Sequence, residues 1–370
     1  MSIIGFVYNP GRLSRVDACR RGDAPSEFLY GAVELEAQGY DIRYFEANSS
    51  TPAHWPCAAF NFLRGHGPIK LDGGTMQATG NLLAALRECD VVIGTTGAHA
   101  FALSVWRSVG RLRPPIVGIQ CGLLNHRISP VRRFSTVALM RRMQSMVFGE
   151  SEVAPIQAAY PGTQGHVHVN QFGVDTTFWT PGPSSESGYI LAVGNDGRRD
   201  YPTLIEAAKH LKTTVILVTS HTLPSPSPAN VRHIHGTYAD GVSDTHLRDL
   251  YRGAACVVVP LVETVQPSGQ SVTLQAMACG RPVVLSKTQG IWSQTTVRDG
   301  ETLVLTPPGS VSHLATAIQR VLDTPDWAKQ LGLNAREAVL KNATTLTFAN
   351  RLIEICERAT AKTLTPSNPR

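Results

Sequence analysis

The chain has 370 residues and a mass of 39.9 kDa, with 42% hydrophobic residues, 17% charged residues and a net charge of +6. That composition excludes a disordered chain and a coiled coil, and the length suits two domains. The longest aliphatic stretch, Ala254 to Val262, is interrupted by Pro260 and falls far short of the ~20 residues needed to cross a bilayer.

In chain order, Ile3–Tyr8, Asp41–Phe45, Asp90–Ile93, Ile116–Ile119 and Val167–Asn170 read as strands of a first half. A helix is expected over Ser26–Gln38, stopped by Gly39. Segment 127–148 carries Arg127, Arg132, Arg133, Arg141 and Arg142 among Val131, Phe134, Val137, Leu139, Met140 and Met143. It reads either as a basic amphipathic helix for an anionic membrane surface or as a core-facing helix with an arginine-bearing outer side.

In the second half, Tyr189–Val193, Thr214–Thr219, Val231–His235, Cys256–Pro260, Pro282–Leu285 and Thr302–Leu305 repeat the strand pattern, with helices at 203–211, 244–253 and 312–323. Apolar strands alternating with helices predict an α/β fold with parallel sheets. The Pro/Gly/Ser-rich joint near 173–188 separates an N-terminal domain, 1–172, from a C-terminal domain, 189–342. Residues 343–370 are expected as a helix and tail packing back on the first domain. Two such domains place a cleft between the carboxyl ends of their strands, where ligands bind.

No basic leader precedes Ile3, so no secretory signal is expected. The seven cysteines are odd in number and lack CxxC spacing, as suits reduced thiols of the cytoplasm. Only seven of the 34 basic residues are lysines, and arginine favours planar contact with phosphate or carboxylate. With no Cys/His finger and no basic region with heptads, nucleic acid is not an expected partner. His166-x-His168 and His233-x-His235 have no completing ligand and read as alternating strand positions rather than metal pairs.

The most informative stretch follows strand 256–260. Gly269 allows close backbone approach, and Ser271 is the expected N-cap of a helix running to Cys279. Free amides at that start suit a phosphate, although an ordinary turn with a capping serine fits as well. Gln275, one turn on, shares the face of Ser271. Arg198-Arg199-Asp200 follows strand 189–193, where it reads as a diphosphate clamp or as a turn in which Asp200 pairs with an arginine.

In order and spacing these segments resemble the retaining family-4 glycosyltransferases of GT-B fold. Matching stretches are Val193-Gly194-Asn195-Asp196, Leu204-Ile205-Glu206-Ala207, Leu250-Tyr251 with Ala254 to Pro260, Ala276 to Val284, Asp299 to Gly309, and Gly173-Val174-Asp175 with Phe178. The match spans roughly residues 165–325 with several ordered motifs; the first domain matches only in rhythm.

The resemblance implies two Rossmann-like domains with parallel sheets facing each other across a cleft. It implies transfer of a sugar from a UDP- or GDP-linked donor to a hydroxyl-bearing acceptor (glycan, lipid-linked or small molecule), with retention and with no cofactor or metal. Counting from the motifs puts Arg199 at the family's donor-phosphate lysine and Asn195 at its arginine, with Arg198 assisting. The turn Ser268, Gly269, Gln270, Ser271, Val272 and Thr273 caps the remaining charge, and Gly11 provides backbone contact to the phosphate.

The family's two glutamates fall at Pro267 and Gln275. Gln275 is therefore expected at the ribose, and Glu263 as the nearest replacement at the transferred sugar. The family's histidine position is Gln120 or Cys121, which leaves His126 as the catalytic candidate and His99 as a weaker one. The lost glutamates suggest one rival, a non-catalytic nucleotide-sugar-binding protein. A dehydrogenase-like Rossmann enzyme is a lesser rival, since Tyr8 to Leu13 lacks GxGxxG. The expected location is cytoplasmic, peripheral to the inner face of the membrane through 127–148.

Overall fold

The computed structural model describes residues 2–48, 57, 59–62, 71–124, 128–236, 241–361 and 363–365. Among them, twelve strands form two six-stranded sheets in which every pairing is parallel. The first sheet comprises β1 (Ile3–Tyr8), β2 (Asp41–Glu46), β3 (Val91–Gly94), β4 (Ile116–Ile119), β5 (Gln144–Val147) and β6 (Val167–Val169), in the order β2-β1-β3-β4-β5-β6. The second comprises β7 (Tyr189–Val193), β8 (Val215–Thr219), β9 (Val231–His235), β10 (Ala254–Val259), β11 (Val283–Ser286) and β12 (Val304–Thr306), in the order β12-β11-β10-β7-β8-β9.

Strands β3, β4, β7, β8 and β11 are buried at every position. Helices cover both faces of such sheets, so continuous Val/Ile/Leu runs replace apolar–polar alternation. Polar residues collect at the edges instead, as in β2 with Asp41 and Arg43 and in β9 with Arg232, His233 and His235. The two His-x-His pairs belong to this edge chemistry. His168 Nε2 lies 2.7 Å from Gln144 Oε1, and His233 Nε2 lies 2.9 Å from the Thr219 carbonyl.

The chain divides into two compact units. One holds Met1–Arg21, Phe28–Gln171 and Leu346–Arg370, and the other Gly22–Glu27 and Phe172–Thr345. The division falls at 171/172 rather than within a 173–188 joint, because Val174, Phe178 and Trp179 are buried in the second unit. Only 181–188 is the polar, exposed stretch its composition suggests. Gly22–Glu27 groups with the second unit, which a boundary at 172 does not foresee. The C-terminal helix Thr345–Thr360 lies almost wholly in the first unit, where Asn350 accepts from Gln38 Nε2 at 2.8 Å.

Two local expectations change. Arg127 lies outside the described residues; 128–148 holds a helix, Pro130–Met140, followed by strand β5, since Ser145, Met146 and Val147 are buried between β4 and β6. Ser26–Gln38 is a 3-10 turn, Glu27–Leu29, and a short helix, Ala32–Ala37, split by Tyr30 at φ 53° and Gly31 at φ 82°. A Cβ at Gly31 would stand 3.0 Å from Ala349, so the docked C-terminal helix holds that break in place.

Candidate functional site at the carboxyl edge of the second sheet

Three loops leave the carboxyl ends of β7, β8 and β10, and hydrogen bonds tie them together. Asp200 N donates to the Pro260 carbonyl at 3.0 Å, Val262 N donates to the Arg198 carbonyl at 3.0 Å, and Arg199 bridges Leu261 in antiparallel fashion. Asn195 Oδ1 accepts from Thr219 Oγ1 at 3.1 Å and from Ser220 Oγ at 2.8 Å. Asn195 thus joins the β7 and β8 loops. Among the described residues Asp200 pairs with no arginine. It caps the helix Tyr201–Ala208 by accepting from Thr203 N and Thr203 Oγ1.

Arg199 is the notable group. Its side chain is 2% exposed, and Asp196 Oδ2 lies 3.0 Å from Nε as an ion pair without hydrogen-bond geometry. Its Nη1 is buried and has no hydrogen-bond partner. A buried guanidinium with an unmade hydrogen bond is costly.

The room for this guanidinium comes from glycine. A Cβ at Gly194 would collide with Arg199, and one at Gly269 would meet Val259 Cγ1 at 2.6 Å and Arg199 Nη1 at 3.0 Å. Gly269 also sits at φ 72°, where a side chain would be strained.

Gly269 is itself the N-cap of the helix Gln270–Ala278, which begins before Ser271 and has no side-chain cap. The sequence-based expectation of a Ser271 cap is therefore corrected, because the left-handed turn at Gly269 starts the helix earlier. Ser268 does not cap either; its Oγ donates to Asp196 Oδ1 at 2.9 Å. An uncapped helix start with its first amides and positive dipole end lies against Arg199. Gln270, Val272 and Thr273 are buried, and Ser271 is half-buried.

Gln275 is placed otherwise than expected. Its Oε1 accepts from Tyr251 OH at 3.0 Å, and its Nε2 donates to Glu27 Oε1 at 2.9 Å. Trp179 Nε1 donates to the same Glu27 oxygen at 2.8 Å, and Asp175 N donates to Glu27 Oε2 at 3.3 Å. Gln275 is 4% exposed, so both ends of its amide are engaged inside the second unit.

Burial pushes the Glu27 carboxyl up to about 7, against the stabilising hydrogen bonds from Gln275 and Trp179. Between the ordinary glutamate range and pH 7 the folded chain therefore holds a proton that the unfolded chain releases. The stability this confers is complete at the acid end and is lost as pH rises through about 7. Relative to Glu27→Gln, the parent chain should lose about 3 kcal/mol between pH 5 and 8, read from denaturant midpoints.

Glu263 is exposed; its Oε1 accepts from Thr264 N at 3.0 Å and from Gln289 N at 2.9 Å, joining the loops after β10 and β11. Gly11 lies in the first unit at φ 87°. His126 lies outside the described residues. At the carboxyl ends of β3 and β4, His99 Nδ1 and Gln120 Nε2 are buried without a partner, and burial lowers the His99 pKa to about 4. Cys121 is exposed. Among the described residues, no group of three or more His, Cys, Asp or Glu side chains could hold a metal ion.

Asp196 and Glu27 had no assigned role in the sequence. The i, i+3 spacing of Asp196 and Arg199 is a signal for the first. Nothing local marks the second, whose partner Gln275 is 248 residues away.

The fold is the GT-B fold of glycosyltransferases, two parallel α/β units each with helices on its sheet. Residues 188–324 match the family described as "Glycosyl transferases group 1". Among curated relatives, the chain is 25% identical over 209 residues to the MMP alpha-(1->4)-mannosyltransferase of Mycolicibacterium hassiacum, covering 53% of this chain and 49% of that one. It is 26% identical over 228 residues to the alpha-maltose-1-phosphate synthase of Mycolicibacterium smegmatis, covering 53% and 57%. The chain spans about half the length of these relatives.

Among solved structures, the sucrose-phosphate synthase of Thermosynechococcus elongatus has a TM-score of 0.68 at 18% identity, over 98% of this chain and 100% of that one. Anabaena HepE in complex with UDP and glucose has a TM-score of 0.63 at 16% identity, over 95% and 98%. At these identities the likeness is one of fold.

Proposed function

We propose that this chain is a glycosyltransferase that moves a sugar from a UDP- or GDP-linked donor to a hydroxyl-bearing acceptor, with retention at the anomeric carbon and without a metal. The observation that carries this reading is the buried Arg199, with its unmade Nη1 hydrogen bond, at the uncapped start of Gln270–Ala278. A diphosphate oxygen there completes the guanidinium and the helix amides together, and those positive groups serve where other transferases use a cation. Arg198 adds charge at the same edge, while Asn195 and Asp196 hold the loop in shape.

Glu263 stands at the rim for the transferred sugar, and the departing phosphate takes the acceptor proton on the same face. The match over 188–324 and the nucleotide-sugar ligands named for HepE support a donor of this kind. Neither the family match nor the named relatives favour the non-catalytic binding protein that the lost glutamates suggest.

Thermal unfolding with UDP, GDP and their sugar conjugates tests the reading. At 100 times its dissociation constant a true ligand adds about 2.7 kcal/mol, whereas uridine or guanosine should add little at the same concentration. Absence of any shift with every nucleotide diphosphate sinks the proposal. Anomeric configuration of the product by NMR then tests retention.

The acceptor is proposed to meet the chain at a membrane face, at the cytoplasmic side. No helix among the described residues is long and apolar enough to cross a membrane. The helix Pro130–Met140, however, exposes Val131 at 56% and Phe134 at 78%, with Arg133, Arg141 and Arg142 also exposed. Anionic vesicles should bind the chain, and each arginine replaced by glutamine should weaken binding by about 1 kcal/mol. Unchanged sedimentation with vesicles after Phe134→Asp would rule this contact out.

A further inference from the structure

The helix Gln270–Ala278 has the phosphate edge at one end and a cavity of about 430 Å³ at the other. The cavity is bordered by Cys279 after the helix, by Ala255 and Pro282 near the starts of β10 and β11, and by the junction of helices Val311–Asp323 and Pro325–Asn342. Its size is in the range of small-molecule sites. Nine residues of helix put the two ends roughly 13 Å apart, so this is a separate place from the donor edge.

Most of its floor is apolar, formed by Val321, Leu322, Pro325 and Leu333. Around that floor stand Arg281, Lys329 and Arg336, and among the described residues no acidic side chain lines the cavity. Arg336 Nη1 donates to the Ala278 carbonyl, which matches a cation to the helix's negative end. Arg281 and Lys329 have no such engagement. Among the described residues neither has a carboxylate within ion-pair distance, and Arg281 Nε is buried without a hydrogen-bond partner. Burial also disfavours the charged form of Arg281.

The buried Arg281 Nε leaves a hydrogen bond unmade beside an apolar floor; a ligand carrying both a negative head and a short apolar body answers both features. We propose that this cavity binds a small amphipathic anion, a monocarboxylate or phosphate monoester on a short alkyl or aryl body. The head meets Arg281 and Lys329, and the body lies on Val321, Leu322 and Leu333.

The test is calorimetric titration of the full chain with octyl phosphate and octanoate, kept below micelle formation, against octanol and inorganic phosphate. One saturable site is expected for the two amphipathic anions, with octanol and phosphate each weaker by about tenfold or more. Lys329 and Leu333 are both exposed, so Lys329→Gln and Leu333→Asp should fold, and each should weaken binding by about tenfold. Arg199→Met should leave it unchanged. Equal affinity for octanol, or affinity that survives Lys329→Gln combined with Leu333→Asp, would overturn the proposal.

Discussion

Gln275→Glu should destabilise the second unit by about 3 kcal/mol or more at pH 8, although glutamate is the residue the family resemblance places there. The substitution replaces the Nε2 donor, 2.9 Å from Glu27 Oε1, by a second carboxylate at the same place. Neither group reaches solvent, since Glu27 is 2% and Gln275 4% exposed. Two carboxylates at that distance cannot both ionise, so one must take a proton.

The penalty therefore shrinks on acidification, and at pH 5 a shared proton should recover most of the lost stability. Denaturant midpoints at the two pH values measure this directly. Pairing Gln275→Glu with Glu27→Gln exchanges donor and acceptor across that contact and should restore part of the stability at pH 8, the remainder being lost where the new amide meets the Trp179 Nε1 donor. If the single variant matched the parent chain at pH 8, the buried Glu27–Gln275 contact would be refuted.

Arg199→Met should abolish the response to nucleotide diphosphates and leave the ligand-free chain as stable as before, or more so. Removing a buried guanidinium whose Nη1 has no partner deletes an unfavourable group, and Asp196, whose side chain is 43% exposed, is rehydrated at little cost. The ligand loses charge-assisted bonds worth about 3 kcal/mol, a hundredfold or greater loss of affinity. Arg199→Lys should retain part of it, because lysine keeps the charge without the planar fork. Binding of UDP or GDP to Arg199→Met with parental affinity, measured by calorimetry, would show that the diphosphate lies elsewhere.

Much of the architecture was legible because parallel strands buried on both faces leave continuous apolar runs. Tyr189–Val193 and Ile116–Ile119 could be bounded to the residue for that reason. β5 could not, because Gln144 and Ser145 break its apolar run and the arginines before it suggest a continuing helix. The arginine pair after β7 and the glycine before Gln270 were legible as local chemistry. Their joining was not, since it depends on hydrogen bonds between loops some 60 residues apart in sequence, such as Val262 N to Arg198 O.

The sequence by itself determined the strand–helix alternation, the glycosyltransferase-like motifs of the second half and the residue types able to meet a diphosphate, because these are local patterns of hydrophobicity and charge. Only the tertiary structure decided that Gly22–Glu27 belongs to the second unit, that Gln275 faces a buried carboxylate, and that Arg199 keeps an unmade hydrogen bond. Those outcomes follow from which groups are excluded from water together, and neither spacing nor motif encodes that.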